Sequence, residues 1–288
     1  MDMTVERVRE LLRKENYIAG DEVAVTLFAA LALPRPLLIE GAAGVGKTEI
    51  AKVLARGLGR ELVRLQCHEG LDESRALYEW NYQKQLLSIQ AGMAGGERGT
   101  DGLFTEEFLL ERPLLHAIRS TEPVVLLIDE IDKADEEFEA FLLELLSEMQ
   151  VTIPELGTIA AGSVPFIVLT SNNTRPLSEA LKRRCAYLYL RYPDPERETE
   201  IILTKLPGAE ETMAREVANA VAYLRASEAV VKKPSIAETL DWMSALTAIG
   251  ARSLDRESAG KTMGFVLKEQ EDIEAMSEDD GFEKLLRR

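Results

Sequence analysis

Cysteine and histidine are nearly missing from this chain, with two of each in 288 residues. Cys67 and Cys185 stand far apart in sequence, which gives no support to a disulfide framework and suits a reducing compartment in which both are expected to be plain buried thiols. Cys67-His68 with Glu69 and Asp72 has the residue types of a metal site. The other histidine is His116, however, and no second Cys/His pair stands at ligand spacing, so no metal centre is expected there. No run of eighteen apolar residues occurs, which excludes an ordinary membrane-spanning helix. The first seven residues, Met1-Asp2-Met3-Thr4-Val5-Glu6-Arg7, lack the charged start and apolar centre of an export signal, and the expected location is the cytoplasm. Positive charge is also scarce, 34 basic residues against 50 acidic ones for a formal net charge of -16. That balance favours solubility and speaks against sequence-independent binding to nucleic acid or acidic membranes. Internal repeats and low-complexity linkers are absent.

What the chain does have is an ordinary hydrophobic content of 46%, sufficient for a substantial core, and a length that suggests one large or two unequal domains. Its most informative stretch is 37–48, where the apolar run Leu37-Leu38-Ile39 leads through Glu40 into Gly41-Ala42-Ala43-Gly44-Val45-Gly46-Lys47-Thr48. The order is buried strand, loop of the form G-x-x-x-x-G-K-T, then helix. Glycines at 41, 44 and 46 let successive backbone N–H groups turn inward on the β- and γ-phosphates of a nucleotide. Lys47 adds a point charge, Thr48 a hydroxyl for Mg2+, and the N-terminus of the following helix a favourable dipole.

A second stretch completes the pattern. Val124-Val125-Leu126-Leu127-Ile128 is a strand buried on both faces, so Asp129-Glu130 falls at its carboxyl end, where open α/β sheets bind ligands. Asp129 is expected to hold Mg2+ through water, and Glu130 to orient or deprotonate an attacking water. Val164-Pro165-Phe166-Ile167-Val168-Leu169-Thr170 is a further strand ending in Ser171-Asn172-Asn173. Asn172 there can reach a γ-phosphate or its attacking water, in preference to serving only as a turn residue. Lys182-Arg183-Arg184 has two readings, a helix C-terminus complementing its dipole or an arginine that completes a neighbouring subunit's site.

The remaining pattern supplies the frame. Residues 4–15 and the segment before Pro34 and Pro36 read as helices, with two readings open for Tyr17-Ile18-Ala19: a place near adenine, or plain packing. The helix from Lys47 is expected to end at Gly57 and Gly59 and to lead into a strand at 61–66, a crossover unit that implies a parallel sheet. Helical periodicity returns over 71–78, followed by an apolar cluster of Trp80, Tyr82, Leu86, Leu87 and Ile89 and a glycine-rich 92–96, together a mobile insertion. Residues 106–119 read as a helix with Pro113 at its start or at a kink. Asp135 N-caps a helix with the stripe Phe138, Phe141, Leu142, Leu145, Leu146 and Met149, and 150–159 reads as a hairpin around Pro154-Glu155-Leu156-Gly157. A short helix is expected over 176–181. After Leu206-Pro207-Gly208 the pattern is entirely helical, with 271–280 an acidic, solvated helix and loop.

Taken together, the phosphate loop at 41–48, Asp129-Glu130, Asn172, Arg183-Arg184 and the helical tail resemble an AAA+ ATPase, and within that superfamily the MoxR group. Glu69-Gly70-Leu71-Asp72, Tyr78-Glu79-Trp80-Asn81-Tyr82, 151–159 and Ala237-Glu238-Thr239-Leu240-Asp241-Trp242 further resemble CoxD-like ATPases linked to maturation of carbon monoxide dehydrogenase and related molybdenum hydroxylases. The resemblance implies an α/β P-loop NTPase with a central parallel sheet flanked by helices over 1–205 and a small helical lid over 206–288. It also implies Mg2+-dependent ATP hydrolysis, a ring that is usually hexameric, remodelling of a protein client, and a partner with a von Willebrand factor A domain. By it the stretches near 72–103 and 150–162 resemble the group's helix-two insert and the hairpin before sensor 1. Asn172 becomes sensor 1 and Arg184, ahead of Arg183, the arginine finger. One departure is visible: no arginine lies between Arg225 and Arg252, where relatives place a sensor 2 arginine, and the chain has Lys232-Lys233-Pro234-Ser235 instead. A nucleic-acid motor of related fold is the alternative, disfavoured by the charge balance.

Overall fold

The structure is a computed structural model and describes residues 3–94, 102–277, 283, 285 and 286. Two compact units are present: Met1–Leu11, Gly20–Gly41 and Lys47–Tyr189 form the first, and Leu12–Ala19, Ala42–Gly46 and Leu190–Arg288 the second. In chain order the elements up to the last strand are α1 (Val5–Lys14), α2 (Asp21–Ala32), β1 (Leu37–Gly41), α3 (Lys47–Leu58), β2 (Leu62–Gln66), α4 (Glu73–Ala76), β3 (Tyr78–Trp80) and α5 (Tyr82–Ala94). They continue as β4 (Leu109–Glu111), α6 (Pro113–Arg119), β5 (Val125–Asp129), α7 (Glu136–Glu148), β6 (Gln150–Ile153), β7 (Gly157–Ala160), β8 (Phe166–Ser171), α8 (Glu179–Arg184) and β9 (Ala186–Leu190).

Five strands form the main sheet in the order β2-β5-β8-β1-β9. The pairs β2–β5, β5–β8 and β8–β1 are parallel, as the strand–helix–strand order requires. β1, β5 and β8 are buried at every residue, the signature of strands covered on both faces. β2 lies at the sheet edge and alternates, with Val63 and Leu65 inward and Arg64 and Gln66 exposed. The register sets Gln66 beside Asp129 and Glu40 beside Ser171, so the carboxyl ends of these strands share one sheet edge. Packed on the sheet is a core that includes Leu38, Leu65, Leu126, Ile128, Phe138, Leu142, Leu169 and Leu181.

Several local expectations change. Residues 106–119 are not one helix: a 3-10 turn at Glu106–Phe108 and β4 precede α6. Pro113 occupies the first turn of α6, and Arg112 before it is extended at φ -99°, ψ 170°, because a residue preceding proline is pushed from the helical region. The cluster expected around Trp80 does not form. Trp80 is buried, while Tyr82, Leu86 and Leu87 of α5 point outward, and the inward residue is Gln85, whose amide donates to Leu103 O at 2.6 Å. Residues 95–101 of that expected mobile insertion lie outside the described residues. Gly57 lies inside α3 rather than ending it. A side chain there would run into Leu11, since a Cβ at 57 would meet Leu11 Cγ at 2.3 Å. The short helix expected over 176–181 is α8, shifted toward the basic triplet and capped by Ser178, which accepts from Leu181 N at 3.3 Å. The hairpin at 150–159 forms as β6 and β7, antiparallel.

The second unit contains α9 (Pro195–Lys205), α10 (Glu211–Ala226), α11 (Ile236–Ala248), α12 (Arg256–Val266) and α13 (Gln270–Ser277). Asp194 caps α9 with Pro195 in its first turn, and a Ser235–Glu238 capping box opens α11, as the pattern of small polar residue and following glutamate favours. Met213, Val217, Val221, Leu224, Trp242, Leu246 and Met263 build its core. The acidic run at 271–280 is not wholly solvated. Asp272 is 1% exposed and accepts from the backbone of Val231 at 2.8 Å and Lys232 at 3.1 Å. No helix among the described residues is long and apolar enough to cross a membrane.

Candidate active site

Gly41 ends β1 and Lys47 opens α3, and residues 42–46 connect the two. Gly44 and Gly46 adopt φ of +73° and +94°, a region that side chains rarely tolerate. For Gly44 a second constraint applies: a Cβ there would lie 2.2 Å from Ser235 Cβ. Ile236 N also donates to Gly44 O at 3.2 Å. Tyr17 is close to this loop, its hydroxyl 3.5 Å from where a Cβ of Gly46 would stand.

Lys47 is 6% exposed. Its ammonium donates to Gly41 O at 2.8 Å and to Asn172 Oδ1 at 2.7 Å. Burial holds its pKa below the ordinary lysine range, against the pull of Asp132, Asp129 and Glu130. Thr48 Oγ1 donates to Asp129 Oδ1 at 3.0 Å. That carboxylate is 2% exposed and takes three further hydrogen bonds, from Thr170 Oγ1 to Oδ1 at 2.5 Å and from Arg64 Nε and a terminal nitrogen to Oδ2 at 3.1 and 2.6 Å.

Glu130 leaves the strand in a left-handed conformation, φ 58° and ψ 50°, with its N–H donating to Thr170 Oγ1 at 2.9 Å. The turn aims its carboxylate at three donors: Gln66 Nε2 at 2.8 Å, Lys133 Nζ at 2.6 Å and Asn172 Nδ2 at 3.4 Å. Asn172 therefore bridges the ammonium of Lys47 and the carboxylate of Glu130. Asp132, 3% exposed, fixes the segment after β8 by accepting from Asn172 N at 3.2 Å, Thr174 N at 2.9 Å and Thr174 Oγ1 at 2.6 Å. Burial alone would raise its pKa, but these hydrogen bonds outweigh it and hold the carboxyl below the usual range.

The donor set suits a nucleotide with a hard divalent cation. Oxygen ligands from Thr48 and Asp129 stand together next to the buried Lys47. Residues 36–185, more than half of the chain, match the AAA domain family, dynein-related subfamily. The chain belongs to this family.

The AAA membership read from the motifs is thereby borne out, while the MoxR and CoxD-like refinements are left to the proposal below. Among proteins similar to this AAA chain, NorQ of Paracoccus denitrificans is 29% identical over 191 residues, 64% of this chain and 62% of NorQ. The chaperone protein ClpB of Bacillus cereus is 30% identical over 188 residues, 58% of this chain and 19% of ClpB. The match thus spans about three fifths of NorQ and about a fifth of ClpB. The Holliday junction branch migration motor RuvB of Thermotoga maritima superposes with a TM-score of 0.47 at 19% identity, over 88% of this chain and 68% of that one. The P-loop NTPase fold rests here on the loop and the parallel sheet order.

The AAA fold brings Gly41, Lys47, Thr48, Asp129, Glu130 and Asn172 together. Arg183 and Arg184 stand apart from them on α8. Arg184 is engaged locally, with Nε donating to Ser147 Oγ at 2.5 Å and a terminal nitrogen to Ala180 O at 3.1 Å. Arg183 is exposed and makes no hydrogen bond or ion pair among the described residues. Lys232 and Lys233 of the second unit are also engaged, Lys232 with Glu269 at 3.4 Å and Lys233 with the carbonyls of Ser227 and Val230 at 2.5 and 2.7 Å. The residue seated against Gly44 is Ser235. Asp72 is used as the N-cap of α4, accepting from Arg75 N at 2.8 Å, and His68 Nδ1 contacts Glu69 O at 2.9 Å.

Sequence reasoning missed Arg64, Gln66, Asp132, Lys133 and Thr170. The exposed positions of an alternating edge strand were the available signal for the first two. Their partners emerge only from the β2–β5 pairing.

Proposed function

We propose that this AAA protein hydrolyses ATP with Mg2+ and couples the cycle to remodelling a protein client. The observation that carries the reading is the contiguity of Lys47, Asn172 and Glu130 beside the Thr48–Asp129 pair. In this reading the glycine N–H groups of the loop and the Lys47 ammonium bind the β- and γ-phosphates, and Thr48 and Asp129 hold the metal, Asp129 through water. Bound Mg2+ supplies neutralisation of charge on the phosphate oxygens. Glu130 orients a water and accepts its proton, while Asn172 keeps that carboxylate and the lysine in one frame.

Similarity to NorQ and to the chaperone ClpB supports a chaperone-like role. On the sequence resemblance we extend the proposal to a cytoplasmic ring, hexameric in the usual form, with the 1–205 domain carrying the site and 206–288 acting as lid. A partner with a von Willebrand factor A domain and a metalloenzyme client of the molybdenum hydroxylase class complete it. A nucleic-acid motor would show hydrolysis stimulated by DNA, which a net charge of -16 does not favour.

The deciding experiment pairs two variants. Lys47→Ala should lose nucleotide binding, and Glu130→Gln should bind ATP while phosphate release falls by about a hundredfold or more. Undiminished turnover in Glu130→Gln would overturn the assignment, and affinity capture with that variant reads out the client.

A further inference from the structure

Asp129 is a fully subscribed carboxylate. Two oxygens offer about four acceptor positions, and all four are filled: Thr48 and Thr170 on Oδ1, and two guanidinium donors of Arg64 on Oδ2. A metal ion, or a water on it, that is to be held by Asp129 must therefore replace one of these donors. Thr170 is 1% exposed on the neighbouring strand β8 and also accepts the Glu130 N–H, so it is fixed. Thr48 is itself the expected metal hydroxyl and can turn its oxygen to the ion while still donating to Asp129. Arg64 is different. Its side chain is 48% exposed, it rises from the edge strand, and it already has a second partner outside the site in Gln66 Oε1.

Resting on the nucleotide reading above, we propose that Arg64 is a displaceable counter-ion that guards the metal carboxylate. Its guanidinium supplies the direct counter-charge to the buried Asp129 carboxylate, which stands beside Glu130 and Asp132. Where Asp129 holds the metal, Arg64 would give up Oδ2 and keep its bond to Gln66 Oε1. The contact of Gln66 with Glu130 places this exchange next to the carboxylate assigned to water activation. Arg64 is a positioning residue under this proposal: it sets the Mg2+ concentration at which the site becomes loaded.

The test measures binding of a fluorescent ATP analogue to the full chain, first in EDTA and then across a Mg2+ titration. Wild type is compared with Arg64→Gln, which keeps a neutral hydrogen-bonding partner for Asp129, and with Arg64→Lys, which keeps the charge without the fork. Half-saturating Mg2+ should fall about three- to tenfold in Arg64→Gln, the worth of a charge-assisted pair that no longer competes. Arg64→Lys should lie between that variant and wild type, and affinity in EDTA should change less than about twofold. A Mg2+ midpoint that is unchanged or raised in Arg64→Gln overturns the guard. So does a large loss of affinity in EDTA, which would put Arg64 on the phosphates. If wild type binds no nucleotide with or without Mg2+, the functional reading itself fails; if it binds and only the midpoint refuses to move, the guard alone fails.

Discussion

Lys47 and Asn172 are joined by a hydrogen bond of 2.7 Å from ammonium to side-chain oxygen, across 125 positions of sequence. A buried lysine whose charge is opposed by burial needs such a partner, and the same amide reaches Glu130 at 3.4 Å. Asn172→Ala should therefore change ATP affinity by only a few fold, because the loop and the Gly41 carbonyl still hold Lys47. Turnover should fall about a hundredfold, since the carboxylate and the phosphates lose their common reference. Separate binding and phosphate-release assays check this, and full turnover with weakened binding would reverse the roles.

Much of this site was legible in sequence because its chemistry is local. The G-x-x-x-x-G-K-T spacing needs no tertiary knowledge, and the five apolar residues before Asp129 declare a buried strand by themselves. Asp132 looked like any acid beyond a strand end, and Arg64 and Gln66 looked like the outward face of an amphipathic strand, which they also are. Their function depends on β2 pairing with β5, and no pattern within either segment announces that register. The helix expected over 106–119 failed for a similar reason: its apolar periodicity was real, but Leu109–Glu111 found a partner in β3, and Pro113 could not continue a helix from Arg112.

Asp132 makes a pH-dependent contribution whose sign follows from its lowered pKa. A carboxylate with folded pKa below the unfolded value of about 3.9 stabilises the fold fully above that value, and the stabilisation is lost as pH falls through the folded pKa. Asp132→Ala should cost about 1–3 kcal/mol at neutral pH, because Asn172 and Thr174 lose their acceptor. The deficit against wild type should shrink below about pH 4. Urea unfolding of both chains between pH 3 and pH 7 measures it; a constant deficit across that range would assign the loss to packing.

Two arginines at the end of α8 differ in their engagement, and this separates them experimentally. Arg184 is tied to Ser147 and Ala180, whereas Arg183 is exposed. Under the proposal of a site shared between subunits, mixing a finger variant with Glu130→Gln should restore part of the activity that each lacks alone. We expect rescue with Arg184→Ala, and a smaller loss in Arg183→Ala. Rescue by Arg183→Ala alone would move the role one residue, with the bond to Ser147 then reading as a support for α8. Failure of both mixtures would leave each site served by its own chain.

Within the second unit, Arg225 and Glu198 form an ion pair that is 7% and 0% exposed. Thr239 Oγ1 donates to Glu198 Oε1 at 2.7 Å, Arg225 Nε donates to Pro234 O at 2.8 Å, and the guanidinium stacks 4.3 Å from the Tyr192 ring centroid. Removing one partner strands a buried charge, so Arg225→Ala should cost about 3–5 kcal/mol. Replacing both ions by apolar residues, Arg225→Met with Glu198→Leu, should recover a large share of that loss. The single variant carries a further consequence, because Pro234 immediately precedes Ser235, which is packed against Gly44. Arg225→Ala should therefore loosen the start of α11 as well, and hydrogen exchange at 235–238 should accelerate more than elsewhere in α11. Thermal unfolding of the full chain gives the energies. A double variant no more stable than the single one would show that the pair is needed for its directional bonds to Pro234 and Thr239, with neutralisation of charge secondary.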